Sequence, residues 1–188
     1  MFIQTEQTPN PQTLKFLPGK VVMDEGTAFY QTIDEAEDSP FARRLFAVDG
    51  VEGVFFGSDF ITITKKDTYD WQIMKPSVLG GIIDHFNSED KTVEKTDAEE
   101  SEKSLEKNAD DSAIVKQIKE LLDTRVRPAV AMDGGDIIYN DFQDGVVYLK
   151  MQGACSGCPS STATLKMGIE NMLKHYIPEV QEVRPVDA

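Results

Sequence analysis

Two cysteines, Cys155 and Cys158, are the only thiols among the 188 residues, and they lie three positions apart. Residues 146–151 have the pattern of a strand, and the apolar spacing over 162–176 is that of a helix. The cysteines are therefore predicted to occupy a short turn at a helix N-terminus. Unpaired backbone N–H groups and the positive end of the helix dipole favour the thiolate there, which is the form that binds metals or attacks disulfides.

A CxxC pair in such a turn is compatible with several kinds of chemistry. Iron–sulfur clusters usually take four thiolates, so two chains would each contribute Cys155 and Cys158 across a symmetric interface. The same spacing is typical of thiol–disulfide redox proteins, although the predicted elements contain no parallel βαβ unit. A structural zinc ion would also need two chains, because His175 has no second histidine at ligand spacing. An incidental pair is the remaining alternative, and the spacing alone leaves the cluster and redox interpretations open.

Composition restricts the class of protein. The chain has 33 acidic and 19 basic residues, a net charge of −14, which argues against nucleic-acid binding. A single CxxC pair is not a secreted disulfide framework, so a reducing compartment is expected. No secretory signal, transit pattern or apolar run of membrane-spanning length is visible. These features predict a soluble, bacterial cytoplasmic protein, and a mature organellar form would look the same.

Residues 1–87 are predicted to form a first small α+β domain with no catalytic residue. A helix is expected to begin at Ser39-Pro40, since serine caps helices and proline suits their first position. A second helix begins near Asp70, and His85 is expected on the surface near the end of that helix. The predicted strands are 2–6, 13–17, 20–23, 51–56 and 60–65.

Residues 88–112 contain ten acidic and four basic residues and are predicted to be a flexible linker, because they cannot bury enough apolar surface to order the chain. Residues 113–188 form the second predicted α+β domain, of α-β-β-α-β order. Pro128 is expected to end its first helix, and Asp144-Gly145 is expected to form a hairpin turn. A closing strand is expected at 180–186.

The second domain resembles the NifU C-terminal (Nfu-type) domain. The matching segments are Arg127-Pro128, Asp133-Gly134-Gly135-Asp136, the hairpin arm through Leu149, and Gly153-Ala154-Cys155-Ser156-Gly157-Cys158-Pro159-Ser160-Ser161. The first domain is similar to the Nfu N-terminal domain. Its matching segments are Gln7-Thr8-Pro9-Asn10-Pro11, Leu14-Lys15-Phe16, Asp59-Phe60-Ile61-Thr62 and the helix that contains Trp71. Together the two resemblances cover everything except the linker.

The resemblance implies a non-enzymatic iron–sulfur cluster scaffold or carrier, with Cys155 and Cys158 as the cluster and metal ligands. It implies a cluster of the [4Fe-4S] type in preference to [2Fe-2S], received from an upstream donor and passed to apo-proteins. A homodimer on cluster binding is expected, without a nucleic-acid or membrane partner. The segment 133–136 is expected to be a structural turn near the site, and the first domain is expected to contact partner proteins.

Overall fold

The computed structural model describes residues 2–88, 92–93, 113–157 and 159–186. The chain divides into two compact units, residues 1–100 (the N-terminal unit) and 101–188 (the C-terminal unit). Each contains helices and a β-sheet of its own, so the predicted α+β class is confirmed. The predicted linker, 88–112, lies outside the described residues except for residues 88, 92 and 93. No described helix is both long and apolar enough to cross a bilayer.

The N-terminal unit is built on a five-stranded antiparallel sheet of order β1-β2-β5-β4-β3. Its central strand carries Ile61 and Ile63 into the core, and Thr62 is buried as well because β5 has a neighbour on each side. The strands are β1 (Gln4–Gln7), β2 (Thr13–Leu17), β3 (Ala28–Tyr30), β4 (Val51–Phe56) and β5 (Ile61–Lys65).

Two helices complete the core of this unit, α1 (Pro40–Phe46) and α2 (Trp71–Ser88). The Ser39 hydroxyl accepts a hydrogen bond from the Ala42 backbone N–H at 3.0 Å, so the predicted helix start is confirmed. A short 3-10 helix, Asp34–Asp38, precedes α1. The buried side chains that pack together include Phe16, Phe41, Leu45, Val54, Phe56, Met74, Val78 and Ile82.

Two predictions for the N-terminal unit are wrong. Residues 20–23 form no strand; instead the N–H groups of Val22 and Met23 donate to the Ser58 carbonyl at 2.8 and 3.3 Å, and β3 pairs with β4. His85 is not on the surface, since it is only 3 % exposed and stacks on the Phe41 ring with 3.7 Å between ring centroids. It lies three residues after Ile82, on the face of α2 that meets α1.

Over its described residues, the C-terminal unit contains a three-stranded sheet of order β6-β7-β8, three α-helices and a short π-helical segment. The hairpin between β6 and β7 turns at Asp144 and Gly145, both with positive φ (50° and 80°), as the Asp-Gly pair predicts. The elements are α3 (Ala113–Leu121), α4 (Arg127–Met132), β6 (Gly135–Gln143), β7 (Val146–Gly153), α5 (Pro159–Tyr176) and β8 (Glu182–Val186).

The first helical segment continues past the position where it was predicted to end. Residues Leu122–Val126 continue it as a π-helical segment, and α4 follows directly. Pro128 lies in the first turn of α4, where the N–H that proline lacks would have no helical partner. The π-helical segment therefore accommodates the proline without ending the helical path.

The pairing of β7 with β8 corrects a second expectation. These strands are parallel, with Val147 opposite Val183, and α5 connects them. The unit β7-α5-β8 is thus a parallel βαβ unit, which the sequence pattern did not predict. Its supposed absence is no longer an argument against a redox protein. The aliphatic core beneath the sheet includes Ile118, Leu122, Val126, Val130, Ile137, Val147, Leu149, Met151, Ile169, Leu173 and Val183.

Candidate functional site

Cys155 lies in the turn between the end of β7 at Gly153 and the start of α5 at Pro159. The turn is held by backbone hydrogen bonds from Cys155 N–H to the Gln152 carbonyl (3.3 Å) and from Ser156 N–H to the Gly153 carbonyl (3.0 Å). The predicted strand–turn–helix arrangement is therefore present at Cys155. Cys158, the second predicted ligand, lies outside the described residues.

The cysteine turn, residues 153–157, packs against the first residues of β6. Gly135 pairs with Gly153 across the sheet, and the Ala154 N–H donates to the Gly134 carbonyl at 3.1 Å. A Cβ added at Gly135 would lie 2.5 Å from the Cys155 Sγ and 2.8 Å from the Gln152 carbonyl oxygen. Because real Cβ atoms do not come so close, only glycine lets the sulfur occupy this position.

Next to this contact lies a buried ion pair. The Arg127 guanidinium donates from Nε and Nη2 to the two carboxylate oxygens of Asp136, both at 2.9 Å. Asp136 is 3 % exposed, and its Oδ1 also accepts from the Ile137 N–H at 2.8 Å. The hydrogen bonds that Arg127 donates to Asp136 raise the pKa of Arg127, and Asp123 adds to this effect. The pair holds the first residues of β6 in place, and the Cys155 sulfur packs against these same residues.

Sequence reasoning missed this pair. Segment 133–136 was interpreted as one polar turn, whereas Gly135 and Asp136 are the first residues of β6. Arg127 appeared only as part of a matching motif and as a helix end. Arg127 and Asp136 are nine residues apart, a spacing that matches no local hydrogen-bonding pattern of a helix or turn. The ion pair becomes visible only when α4 packs against β6.

The electrostatic state of Cys155 differs from the prediction. The thiol is 6 % exposed and belongs to the core of the C-terminal unit. Burial, and to a lesser extent the negative charges of Asp133 and Asp136, raise its pKa to about 12. The expectation of a lowered pKa is therefore wrong for Cys155, because its side chain is buried in the core beside two carboxylates.

One chain does not assemble a metal site from the residues that the structure describes. No group of three or more His, Cys, Asp or Glu side chains is placed there to hold a metal ion. His175 lies near the far end of α5, against the ring of Tyr176 at 5.0 Å between centroids. The chemistry available at the site is that of a sulfur donor that needs further donors from elsewhere.

Comparison with known families matches both parts of the chain. Residues 3–89 match the family described as "Scaffold protein Nfu/NifU N terminal", and residues 118–184 match the "NifU-like domain". These two stretches leave residues 90–117 unmatched between them. The resemblance inferred from the sequence is therefore confirmed.

Curated relatives resemble nearly the whole chain. The human "NFU1 iron-sulfur cluster scaffold homolog, mitochondrial" is 51% identical over 187 residues, 99% of this chain and 72% of its own length. The Arabidopsis thaliana "NifU-like protein 4, mitochondrial" is 51% identical over 185 residues, 97% of this chain and 65% of its own length. A solution NMR structure of a NifU-like protein from Saccharomyces cerevisiae overlaps in part, with a TM-score of 0.46 and 26% identity over 51% of this chain and 87% of that one.

These relatives correct one prediction. Both curated relatives are named mitochondrial, as is the similar protein of Drosophila willistoni, so the predicted bacterial cytoplasmic location is wrong. The sequence had allowed an organellar protein, but nothing within the chain distinguished the two. With both domains matched and half of all positions identical to those relatives, the chain belongs to the Nfu/NifU family of scaffold proteins.

Proposed function

We propose that this protein is an organellar scaffold and carrier for an iron–sulfur cluster, which it receives from an upstream donor and transfers to apo-proteins. The observation that carries the proposal is 51% identity over 187 residues to a protein named as an iron–sulfur cluster scaffold homolog. The role is non-enzymatic, because the cluster is cargo that exchanges only its terminal thiolate ligands and is not converted into a product. The relatives' mitochondrial names support the organellar location.

The ligands in this proposal are Cys155 and Cys158 from each of two chains. Thiolates are the usual ligands of iron–sulfur clusters, which take about four of them, and the chain has two cysteines. The described residues of one chain hold no alternative group of metal-binding side chains. A homodimer on cluster binding completes the coordination. The choice of [4Fe-4S] over [2Fe-2S] rests on the family resemblance, because both types take four thiolates.

Cluster loading requires a rearrangement of the cysteine turn. The Cys155 sulfur is packed over Gly135 and carries a proton at neutral pH, since its pKa is about 12. It must lose that proton and leave the core before it can bind iron. The free energy needed for this step opposes cluster retention, which suits a carrier. Thiolates of the recipient protein then displace the two cysteines by ligand exchange.

A thiol–disulfide redox protein is the rival function. Such proteins need a cysteine whose pKa is lowered toward neutrality, so that a nucleophilic thiolate is present. Burial has the opposite effect on Cys155. The relatives are named for cluster assembly, which gives the redox function no support.

The test is anaerobic reconstitution of the full chain with ferrous iron and sulfide, followed by iron, sulfide and mass analysis. We expect about two iron atoms and two sulfides per chain, in a species of two chains. Cys155→Ser and Cys158→Ser should each abolish binding, whereas Ser156→Ala, in the same turn, should not. A wild-type chain that takes up no cluster would refute the proposal, and efficient reduction of insulin disulfides would favour the redox rival.

A further inference from the structure

Gln152, the second-last residue of β7, carries its side-chain amide in a buried position. The residue is 7 % exposed, and its side-chain oxygen Oε1 has no hydrogen-bond partner among the residues that the structure describes. A buried carbonyl without a donor costs free energy, and most such groups in folded proteins are paired. The amide of Gln152 therefore has to be explained by something other than the stability of this fold.

The strand next to β7 does not supply the missing donor. Met151 lies in the core, so the side chain of Gln152, the next residue, lies on the other face of the sheet. Its cross-strand partner is Asp136, a buried carboxylate that accepts hydrogen bonds from Arg127 and from the Ile137 N–H. An ionised carboxylate only accepts hydrogen bonds, so it cannot pair with Oε1. An apolar side chain of similar length would fill the position without an unpaired oxygen.

The backbone of the same residue begins the cysteine turn. The Gln152 carbonyl accepts the Cys155 N–H at 3.3 Å, slightly beyond the usual range of an N–H···O hydrogen bond. The next hydrogen bond of the turn, from the Ser156 N–H to the Gly153 carbonyl, is shorter, at 3.0 Å. The contact that holds the Cys155 backbone is therefore the weaker of the two. It is the one that gives way when Cys155 moves away from Gly135.

We propose that Gln152 is a positioning residue for cluster loading, and that its Oε1 accepts the Cys155 N–H when the turn opens. This inference rests on the proposed function, in which Cys155 leaves the core to bind the cluster. The N–H then passes from the backbone carbonyl of Gln152 to the side-chain oxygen of the same residue. Asparagine accepts an N–H two residues further on in Asx turns, and glutamine, which is one methylene longer, reaches the third residue.

The effect of this exchange is a bias toward the open turn. In the closed turn the Cys155 N–H is paired and the buried Oε1 is not, whereas in the open turn the two pair with each other. Water reaches the freed backbone carbonyl once the turn has opened, so no buried group is left unpaired. Only the closed turn therefore carries the cost of the unpaired oxygen. Gln152 lowers the stability of the apo fold and in return makes Cys155 easier to load.

The test is Gln152→Met in the full chain, which removes the unpaired oxygen and keeps the length of the side chain. The apo C-terminal unit, followed by hydrogen exchange resolved by peptide, should be at least as stable as in the wild type. In a Cys158→Ser background, alkylation of Cys155 by iodoacetamide should become about fivefold slower, because the open turn loses its acceptor. After reconstitution with ferrous iron and sulfide, Gln152→Met should lose its cluster to EDTA about fivefold faster. Gln143→Met, at an exposed position of β6, is the matched control and should behave as wild type.

A merely structural role for the amide predicts the opposite pattern. Gln152→Met would then make the apo unit less stable or unfolded and alkylation of Cys155 faster, and either result would overturn the inference. Wild-type rates of alkylation and of cluster loss in Gln152→Met would overturn it as well. These outcomes leave the proposed function intact, because the wild type still binds a cluster. A wild-type chain that takes up no cluster refutes the proposed function, and the alkylation rates then still decide whether Gln152 biases the turn.

Discussion

The histidine of the N-terminal unit lies inside an aromatic cluster, whereas in the C-terminal unit a thiol and a carboxylate are buried beside one turn. His85 stacks on Phe41, which also stacks on Phe56 with 4.9 Å between centroids. Cys155 packs over Gly135, and Asp136 next to it is held by Arg127. Both units bury polar groups, but among the described residues only those of the C-terminal unit lie beside a cysteine.

This difference supports the proposal that the functional site lies in the C-terminal unit. Burial of a polar group costs free energy unless it is compensated, so a concentration of such groups in one place needs an explanation. In the N-terminal unit the histidine contributes ring contacts to a core. In the C-terminal unit the Cys155 thiol has a strongly raised pKa, and the Asp136 carboxylate forms an ion pair with Arg127. Mutations in the two units should therefore have different consequences.

The largest effect is expected for Phe41→Ala. This ring is fully buried between His85 and Phe56, so its removal leaves a cavity and should lower the unfolding free energy of the N-terminal unit by about 4 kcal/mol. Hydrogen exchange resolved by peptide measures each unit separately. Protection in the C-terminal unit and cluster uptake should stay unchanged, and loss of cluster binding would contradict the division of roles.

Arg127→Ala should come next, with a loss of about 3 kcal/mol in the C-terminal unit. It would remove the cation that is paired with the buried Asp136 carboxylate, which would keep its hydrogen bond from the Ile137 N–H. A buried charge that loses its ion-pair partner is costly even where that partner is partly exposed. The control is Arg184→Ala, which breaks an exposed, solvent-screened pair with Glu182 and should have far less effect on stability. Equal losses for both variants in urea unfolding would show that burial of Asp136 does not matter.

Gly135→Ala should cost about 2 kcal/mol, because its methyl group would overlap the Cys155 sulfur and force the turn outward. In a Cys158→Ser background, the same change should accelerate alkylation of Cys155 at pH 8 by iodoacetamide. Gly80→Ala in α2 is the matched control, since a Cβ there meets nothing, and it should stabilise the N-terminal unit slightly. Unchanged alkylation would mean that Gly135 does not hold the sulfur.

The smallest measurable effect is a pH dependence. The folded pKa of Cys155 is raised to about 12 from its usual value of 9.0, so the stability of the buried neutral thiol is fully present below pH 9.0 and is lost as the pH rises toward 12. By pH 10 the unfolding free energy of the apo C-terminal unit should fall by about 1 kcal/mol. The unfolding free energy of Cys155→Ala should not show this fall between pH 9 and pH 10. An equal fall in the wild type and in Cys155→Ala would refute the assignment to Cys155.

Much of the fold could be predicted because it depends on neighbours in the chain. The cap at Ser39 and the turn at Asp144-Gly145 follow from the local conformations these residues favour, and both are confirmed. The parallel pairing of β8 with β7 escaped prediction, because strand order depends on how α5 crosses the sheet. The surface assignment of His85 failed for a similar reason, since a lone histidine carries no sign of the partner helix that will cover it.

The sequence by itself determined that the chain has two cysteines in one turn, and therefore that it can supply only half of the thiolates of a cluster. It also identified the motifs by which the family is recognised. Only the tertiary structure decided that Cys155 lies buried over Gly135 and that Arg127 neutralises Asp136 beside it. Residue counts and motifs are properties of the chain alone, whereas burial and charge pairing arise when distant segments pack together, and these interactions set the state of the thiol.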